Sequence, residues 1–137
     1  MGRIKVQVKL ANKFDVEKAK AGDIEDSQVR QLTIEGTIDT GASYLVLPAK
    51  VAKQLGVPKV GKTKIRYADR RVANRDMVEL VEVELEGRKG TFRAMLEPTR
   101  STALIGAIVL EDLDLIIDSR HERIYPRDPA GFTAEVE

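Results

Sequence analysis

The chain has 137 residues, the size of one domain and enough to bury a core without disulfides or a structural metal. It has no cysteine and one histidine, His121, which excludes thiolate chemistry, cysteine-based zinc sites and multi-histidine metal sites and disfavours a Ser-His-Asp triad. The net charge of +1 gives no general reason to expect nucleic acid or an anionic membrane as a partner, and no apolar run approaches the roughly 20 residues that span a bilayer. We therefore expect one domain, residues 1–137, in a soluble cytoplasmic protein without a cofactor or metal.

The first half of the chain alternates between apolar and polar residues, a pattern typical of strands that face a core on one side. The first strand has its apolar face at Ile4, Val6, Val8 and Leu10. The polar segment 12–27 predicts a loop or a loose hairpin, and the segment 29–38 predicts one or two strands that run into Asp39. Pro48 opens the only predicted helix, and Gly56 ends it.

The second half returns to strands from Lys64 onward. The polar segment 68–71 predicts the tip of an exposed hairpin. Leu80-Val81 breaks the alternation of the next strand and predicts a bulge or a change of sheet face. A turn at 86–90 and a return strand at 92–96 follow.

The last apolar segments complete the expected fold. The run 103–110 is the most apolar of the chain and is expected to be the most buried. Alternation after it predicts a strand that ends near Asp118. Together the segments predict an all-β domain with one short helix, closed or partly closed as a β-barrel.

The segment most suggestive of chemistry is Ile38-Asp39-Thr40-Gly41-Ala42-Ser43. A strand brings a carboxylate to its end, where small residues allow backbone and substrate to approach it. Thr40 and Ser43 offer hydroxyl groups beside the carboxylate. A lone acid at a strand end is often only a turn former, so Asp-Thr-Gly alone is weak evidence.

Further motifs follow in a fixed order and give a resemblance. They are Leu47-Pro48 with a helix ending at Leu55-Gly56, the segment Tyr67-Ala68-Asp69, the run Leu104-Ile105-Gly106, and Leu110-Glu111 with Asp118 downstream. With Asp-Thr-Gly-Ala-Ser, this set resembles the retropepsin-like aspartic proteases, particularly the small single-domain bacterial type. The resemblance covers residues from about 5 to 126.

The resemblance implies the retropepsin-like fold, with a flap hairpin over the active site. It also implies a homodimer, because the chain carries one Asp-Thr-Gly run and a two-fold axis would supply the second. The implied catalytic residues are Asp39, Thr40 and Gly41. The implied substrate-binding residues are Ala42 and Ser43 in the active loop and Ala68, Asp69, Arg70 and Arg71 at the flap tip.

Three features depart from the retroviral pattern. The expected flap tip has no glycine and instead carries Arg70 and Arg71. Gly106 is followed by Ala107, where retroviral enzymes have an arginine that supports the active loop. The chain is also longer before Asp39, in the segment 12–30, where a different dimer edge is expected.

Two groups of charged residues have competing interpretations. The acids Glu111, Asp112, Asp114 and Asp118 resemble a metal cluster, but their alternation with leucines favours the wet face of a strand. The basic residues of the hairpin region would favour acidic peptides or nucleic acid, but a solvated hairpin is the simpler interpretation, because aromatic residues for base stacking are few. This basic set comprises Arg66, Arg70, Arg71 and Arg75.

Two functions from different classes follow. The first is an aspartic endopeptidase that hydrolyses peptide bonds in extended protein segments, with neither nucleic acid nor membrane as a partner. The alternative is a dimeric binding module with the same fold and little or no proteolytic turnover. The charged hairpin tip and the missing arginine after Gly106 motivate this alternative.

Overall fold

The structure is a computed structural model that describes residues 4–132 and 136. The strands among these residues are β1 (Lys5–Asn12), β2 (Gln31–Ile38), β3 (Leu45–Pro48), β4 (Lys59–Arg66), β5 (Val72–Leu85), β6 (Arg88–Glu97), β7 (Ala103–Ile105), β8 (Leu115–Asp118) and β9 (Arg123–Pro126). The α-helices are α1 (Lys13–Lys20), α2 (Ala49–Leu55) and α3 (Ala107–Asp112), and a 3₁₀ turn spans Asp26–Gln28. None of these helices is long and apolar enough to cross a membrane.

Six strands close into a barrel. Their order is β1-β2-β7-β3-β6-β5, and β5 returns to pair with β1. The inward-facing residues form one continuous core, in which Val8, Leu10, Leu47, Val83 and Ile105 are almost completely buried. The mostly β, closed-barrel fold predicted from the alternating patterns is therefore confirmed, as is the inward face of the first strand.

The β4–β5 hairpin projects from this barrel. Residues 72–78 of β5 pair with β4, whereas residues 81–84 pair with β1. The pairing of β5 with β6 shifts register between Val78 and Val81, and Leu80 has a positive φ of 60°. The bulge predicted at Leu80-Val81 is confirmed, and it marks the point where the neighbour of β5 on the side away from β6 changes from β1 to β4.

The segment 12–27 corrects one prediction, because it contains helix α1 instead of a loop or loose hairpin. The Asn12 side chain caps the helix by accepting the Asp15 N–H at 3.0 Å. Asp15 is buried, and its carboxylate accepts two guanidinium hydrogen bonds from Arg30, at 2.8 and 3.0 Å. The helix is thus stabilised by a partner 15 residues away, which local periodicity does not reveal.

The prediction of a single helix is also wrong, because a further helix begins in the run 103–110. The predicted helix after Pro48 is confirmed as α2, and Gly56 ends it with φ of 66°. The apolar run 103–110, by contrast, is not one buried segment: it divides at Gly106 into β7 and α3. Because a helix turns one side outward, Ile108 in this run is 44% exposed.

The C-terminal segment packs against the barrel through Arg88. This side chain is buried, and its guanidinium donates to the carbonyls of Leu113, Asp128 and Gly131. The Phe132 ring lies 4.1 Å from the guanidinium carbon. The small β8–β9 sheet is therefore held beside α3, next to the barrel end that carries Asp39.

Candidate active site

Asp39 follows directly after β2 at one end of the barrel. β2 runs parallel to β7, with Ile38 opposite Ile105, and the Asp39 N–H donates to the Ile105 carbonyl at 3.0 Å. The apolar alternation of β2 ends there, because Ile38 is buried and Asp39 is half-buried. The sheet pairing thus fixes the backbone of Asp39 while its side chain reaches an open surface.

The loop after Asp39 turns back onto the carboxylate. The Gly41 N–H donates to Asp39 Oδ1 at 2.9 Å, and the Ala42 N–H donates to the Asp39 carbonyl at 3.2 Å. A Cβ atom on residue 41 would lie 3.3 Å from the same Oδ1. The small residues predicted to let the chain approach the carboxylate do so here.

Gly106 packs directly against the backbone of this loop. A Cβ atom at Gly106 would lie 2.4 Å from the Tyr44 carbonyl oxygen and 2.8 Å from the Ala42 carbonyl oxygen. The following N–H groups, of Ala107 and Ile108, donate to the carbonyls of Ala42 and Ser43 at 2.8 and 3.0 Å. The loop is therefore braced by the backbone at the start of α3, and this contact needs no arginine side chain after Gly106.

A cleft of about 610 Å³ separates the active loop from the hairpin. Asp39, Ala42 and Ser43 line one side, and the consecutive residues 64–68 line the other. The floor is apolar and consists of Val46, Met95 and Leu104. Among the described strands β4 is the last of its sheet, so one of its edges has no strand partner there and can hydrogen-bond an extended chain.

The predicted tip residues divide into two groups. Ala68 lines the cleft, whereas Asp69, Arg70 and Arg71 are exposed and do not line it. Asp69 accepts the Arg71 N–H at 3.0 Å and its Nε at 2.6 Å, which lowers the pKa of the Asp69 carboxyl. Arg70 has φ of 71°, a conformation that glycine adopts more easily. The tip is thus a compact turn whose three charged residues do not line the cleft.

Thr40 also lies apart from the cleft. It is exposed and lines a second hollow, of about 440 Å³, together with Leu110, Leu115 and Ile117. This hollow lies between the active loop, α3 and the β8–β9 sheet. The active loop thus presents Asp39 to one surface and Thr40 to another.

A polar cluster at the base of the hairpin was missed by sequence reasoning. Glu97 Oε1 accepts the Tyr67 hydroxyl at 2.7 Å and the Arg75 Nε at 2.8 Å. The hydrogen bond to Glu97, aided by burial, raises the pKa of Tyr67. Tyr67 and Glu97 are 30 residues apart, so only the pairing of β4 with β5 and of β5 with β6 brings them together.

The acids near the C-terminus do not form a metal cluster in the part of the chain that the structure describes. Asp114 accepts the Arg127 Nε at 2.8 Å, and Asp118 pairs with His121 at 2.7 Å. This contact with His121 holds the pKa of Asp118 below its usual range. The prediction that Asp112 and Asp114 lie on the solvent-exposed face of a strand is wrong. Asp112 ends α3, and Asp114 lies in the following turn.

The sequence profile of the aspartyl proteases matches residues 26–107, which contain the Asp39 loop, the hairpin and Gly106. This match covers more than half of the chain, and the chain belongs to the aspartyl protease family. No sequence among the curated proteins matches it.

Among solved structures, the fold is similar to that of EIAV protease complexed with the inhibitor HBY-793. The TM-score is 0.58 at 18% sequence identity, and the match covers 82% of this chain and 88% of the viral one. At this identity the likeness concerns the fold, and it confirms the retropepsin-like barrel. The sequence profile confirms the expected family, and the structural likeness confirms the expected fold.

Proposed function

We propose that this chain is an aspartic endopeptidase that acts as a homodimer on extended segments of protein. The observation that carries the proposal is Asp39: a half-buried carboxylate at a braced loop, facing a peptide-sized cleft. Family membership supports a protease, and the proposal adds the dimer, the mechanism and the role of each residue.

The dimer follows from the chemistry of the site. One chain has one Asp-Thr-Gly run, and a two-fold axis would bring the same loop from a second copy opposite the first. Thr40 supports this arrangement, since it is exposed on the side of the loop that does not line the cleft. In the dimer, Thr40 would hydrogen-bond across the axis and hold the two loops together.

Paired carboxylates supply an acid and a base from identical residues. Two carboxylates about 3 Å apart cannot both ionise, so they share one proton and titrate as a pair, as aspartic proteases do generally. The ionised Asp39 takes a proton from a water molecule, which attacks the scissile carbonyl carbon. The protonated Asp39 of the other copy donates its proton to the carbonyl oxygen, which gives a tetrahedral intermediate without a covalent bond to the protein.

The remaining residues would bind the peptide. The free edge of β4 and the carbonyl groups near Gly41 would hydrogen-bond its backbone, and Ala42, Ser43 and Ala68 would contact it from either side of the cleft. Asp69, Arg70 and Arg71 would shape the tip of the flap that closes over it. The hydrogen bonds of Tyr67 and Arg75 to Glu97 would hold the base of this flap against the barrel.

The test compares the Asp39→Asn variant with wild-type protein on a peptide library. We expect Asp39→Asn to lower kcat/KM by about a thousandfold or more, because the amide cannot act as a general acid or base. The matched control is Asp23→Asn, at an exposed acid after α1, which should cleave as wild type does. Wild-type cleavage should also be blocked by a transition-state mimic such as pepstatin.

The dimer is tested by dilution. Specific activity should fall as the protein is diluted below its dimerisation constant, and sedimentation should show the same transition. If Asp39→Asn digests the library as fast as wild type, the mechanism is wrong. A dimer that binds peptides without cleaving them would favour the alternative, a binding module.

A further inference from the structure

We propose that the cleft selects peptides in which an apolar side chain is flanked by acidic ones. This inference deepens the proposed function and rests on it for the statement that the cleft binds peptide. It follows from the charges that line the cleft and from how each of them is paired.

The cleft carries more positive than negative charge. Besides Asp39, its charged lining residues are Lys64, Arg66, Glu97 and Arg100. Within residues 4–132 no ion pair is found for Lys64, Arg66 or Arg100, whereas Glu97 pairs with Arg75 at 2.8 Å. Arg75 itself does not line the cleft, so the charge of Glu97 is balanced by a residue outside the lining, and three cations remain to attract a bound peptide.

Arg100 is the best placed of the three cations to hold a carboxylate. It is half-buried, and its Nε donates to the Thr102 carbonyl at 2.8 Å, which fixes the plane of the guanidinium. No hydrogen bond from its two terminal nitrogens is found within the described part of the chain, which leaves them for the paired hydrogen bonds that arginine forms with a carboxylate. Because the group is already oriented, less side-chain entropy is lost when an acidic residue binds.

Lys64 and Arg66 add positive charge along the wall formed by residues 64–68. Both are exposed and lie two residues apart on β4, the strand with the free edge. A peptide that pairs with this edge would run alongside them. Its acidic side chains would therefore be attracted over several consecutive positions.

The apolar floor of the cleft accounts for the second preference, which is for an apolar side chain in the peptide. Val46 and Met95 are buried and pack with Met77, and Leu104 and Ile65 cover them. These side chains offer no hydrogen bond to a polar side chain buried against them, so the floor favours an apolar one. The methionines allow it to adapt to apolar side chains of different shape.

The other arginines of the hairpin region do not add to this charge. Arg71 is paired with Asp69 at 2.6 Å, and Arg75 is paired with Glu97. Arg70 is exposed at the tip and does not line the cleft. The basic character of the region thus has two origins. One is a turn whose charges are paired or lie outside the cleft, and the other is a cleft wall whose cations have no ion pair among the described residues.

The experiment measures binding and cleavage separately. Peptides with the same apolar centre and with Glu, Gln or Lys at the flanking positions are titrated against Asp39→Asn protein by fluorescence anisotropy. The same peptides are cleaved by wild-type protein. Each exposed ion pair contributes a factor of about two to five, so Glu peptides should bind at least about tenfold more tightly than Lys peptides. Raising the salt concentration should reduce this ratio.

The decisive variant carries Lys64→Gln, Arg66→Gln and Arg100→Gln on the Asp39→Asn background. It should lose most of the Glu preference, and Arg100→Gln alone should lose the largest single share. The control is Lys50→Gln, which removes a charge from the exposed face of α2, outside the cleft, and should keep the preference. An equal loss in the control would overturn the proposal.

The outcomes separate this inference from the function on which it rests. Charge-selective binding by the Asp39→Asn protein without cleavage by wild type supports the inference and contradicts the endopeptidase. Cleavage of Glu, Gln and Lys peptides at equal rates supports the endopeptidase and overturns the inference. If none of these peptides binds, this inference is overturned, and the endopeptidase is judged by wild-type cleavage of the peptide library.

Discussion

Two carboxylates, Asp15 and Asp39, are held in opposite ways. Asp15 accepts the backbone N–H of Arg30 and two hydrogen bonds from its guanidinium, so both of its oxygens are bound. Among the described residues, the Asp39 carboxylate accepts one hydrogen bond, at Oδ1 from the Gly41 N–H. Asp15 is 4% exposed and tied to the barrel, whereas Asp39 is half-buried beside a cleft.

The difference shows how a carboxylate can be held in position while its oxygens keep most of their capacity to accept hydrogen bonds. Asp15 is fixed through its own side chain, which serves the packing of α1. The Asp39 loop is fixed through its backbone, by the strand partner Ile105 and by the N–H groups of Ala107 and Ile108. The side chain of Asp39 is thereby left to meet water and substrate, as the proposed chemistry requires.

The largest effect is expected from breaking the backbone support of Asp39. Gly106→Ala places a Cβ against two carbonyl oxygens of the active loop, and we expect a cost of about 3 kcal/mol in the free energy of unfolding. Gly36→Ala is the matched control, because its Cβ would meet only side-chain atoms, at 3.4 Å. Urea unfolding of both variants measures the difference, and equal costs would contradict the account of the loop.

The second prediction compares the two carboxylates directly. Asp15→Asn should lower the free energy of unfolding by about 2 kcal/mol, because an amide cannot accept all the hydrogen bonds that Arg30 donates. Asp39→Asn should change it by no more than about 0.5 kcal/mol, since the amide oxygen still accepts the Gly41 N–H. Thermal or urea unfolding at pH 7 distinguishes them. Similar losses in the free energy of unfolding for Asp15→Asn and Asp39→Asn would contradict the proposed difference between the two carboxylates.

A third prediction concerns pH. The hydrogen bonds from Arg30 hold the pKa of Asp15 below its ordinary value of 3.8. The stability that this pairing contributes is therefore fully present above the ordinary pKa and is lost as pH falls through the lowered one. Unfolding measured from pH 7 down to about 2 should show the gap between wild type and Asp15→Asn closing at the acid end. A gap that is constant with pH would mean that the Asp15 charge does not contribute.

The smallest effect is expected at the hairpin tip, where the backbone of Arg70 is strained. Arg70→Gly should stabilise the fold by about 0.5 kcal/mol, because glycine adopts φ of 71° without steric cost. Arg71→Gly is the matched control and should destabilise the fold, since it removes the pairing with Asp69. Stabilisation by Arg71→Gly, or destabilisation by Arg70→Gly, would contradict this interpretation.

The sequence was sufficient where local patterns determine the structure. Alternation predicted the inward face of β1, the broken phase at Leu80 predicted the bulge, and Pro48 and Gly56 predicted the bounds of α2. The Asp-Thr-Gly run and the later motifs, taken in order, pointed to the family and to the loop that carries Asp39. Each of these signals lies within a few residues of the feature that it predicts.

Features that depend on distant partners were missed. Helix α1 depends on Asp15 meeting Arg30, and the cluster of Tyr67, Arg75 and Glu97 depends on the pairing of three strands. The division of the apolar run at Gly106 follows from the crowding of its backbone by the Asp39 loop. Burial and pairing also decided which hairpin arginines face the cleft, and composition alone could not separate them.

The bulge at Leu80 has a consequence for hydrogen exchange along a single strand. Residues 81–84 of β5 lie between β1 and β6 inside the closed barrel, whereas β4 is the one described strand that pairs with residues 72–76. A two-stranded ribbon is marginally stable by itself, so its amides should exchange by local opening, while those beyond Leu80 should exchange only when the barrel unfolds. One continuous strand would thus show two classes of protection, and the boundary between them would mark where the hairpin moves independently of the barrel.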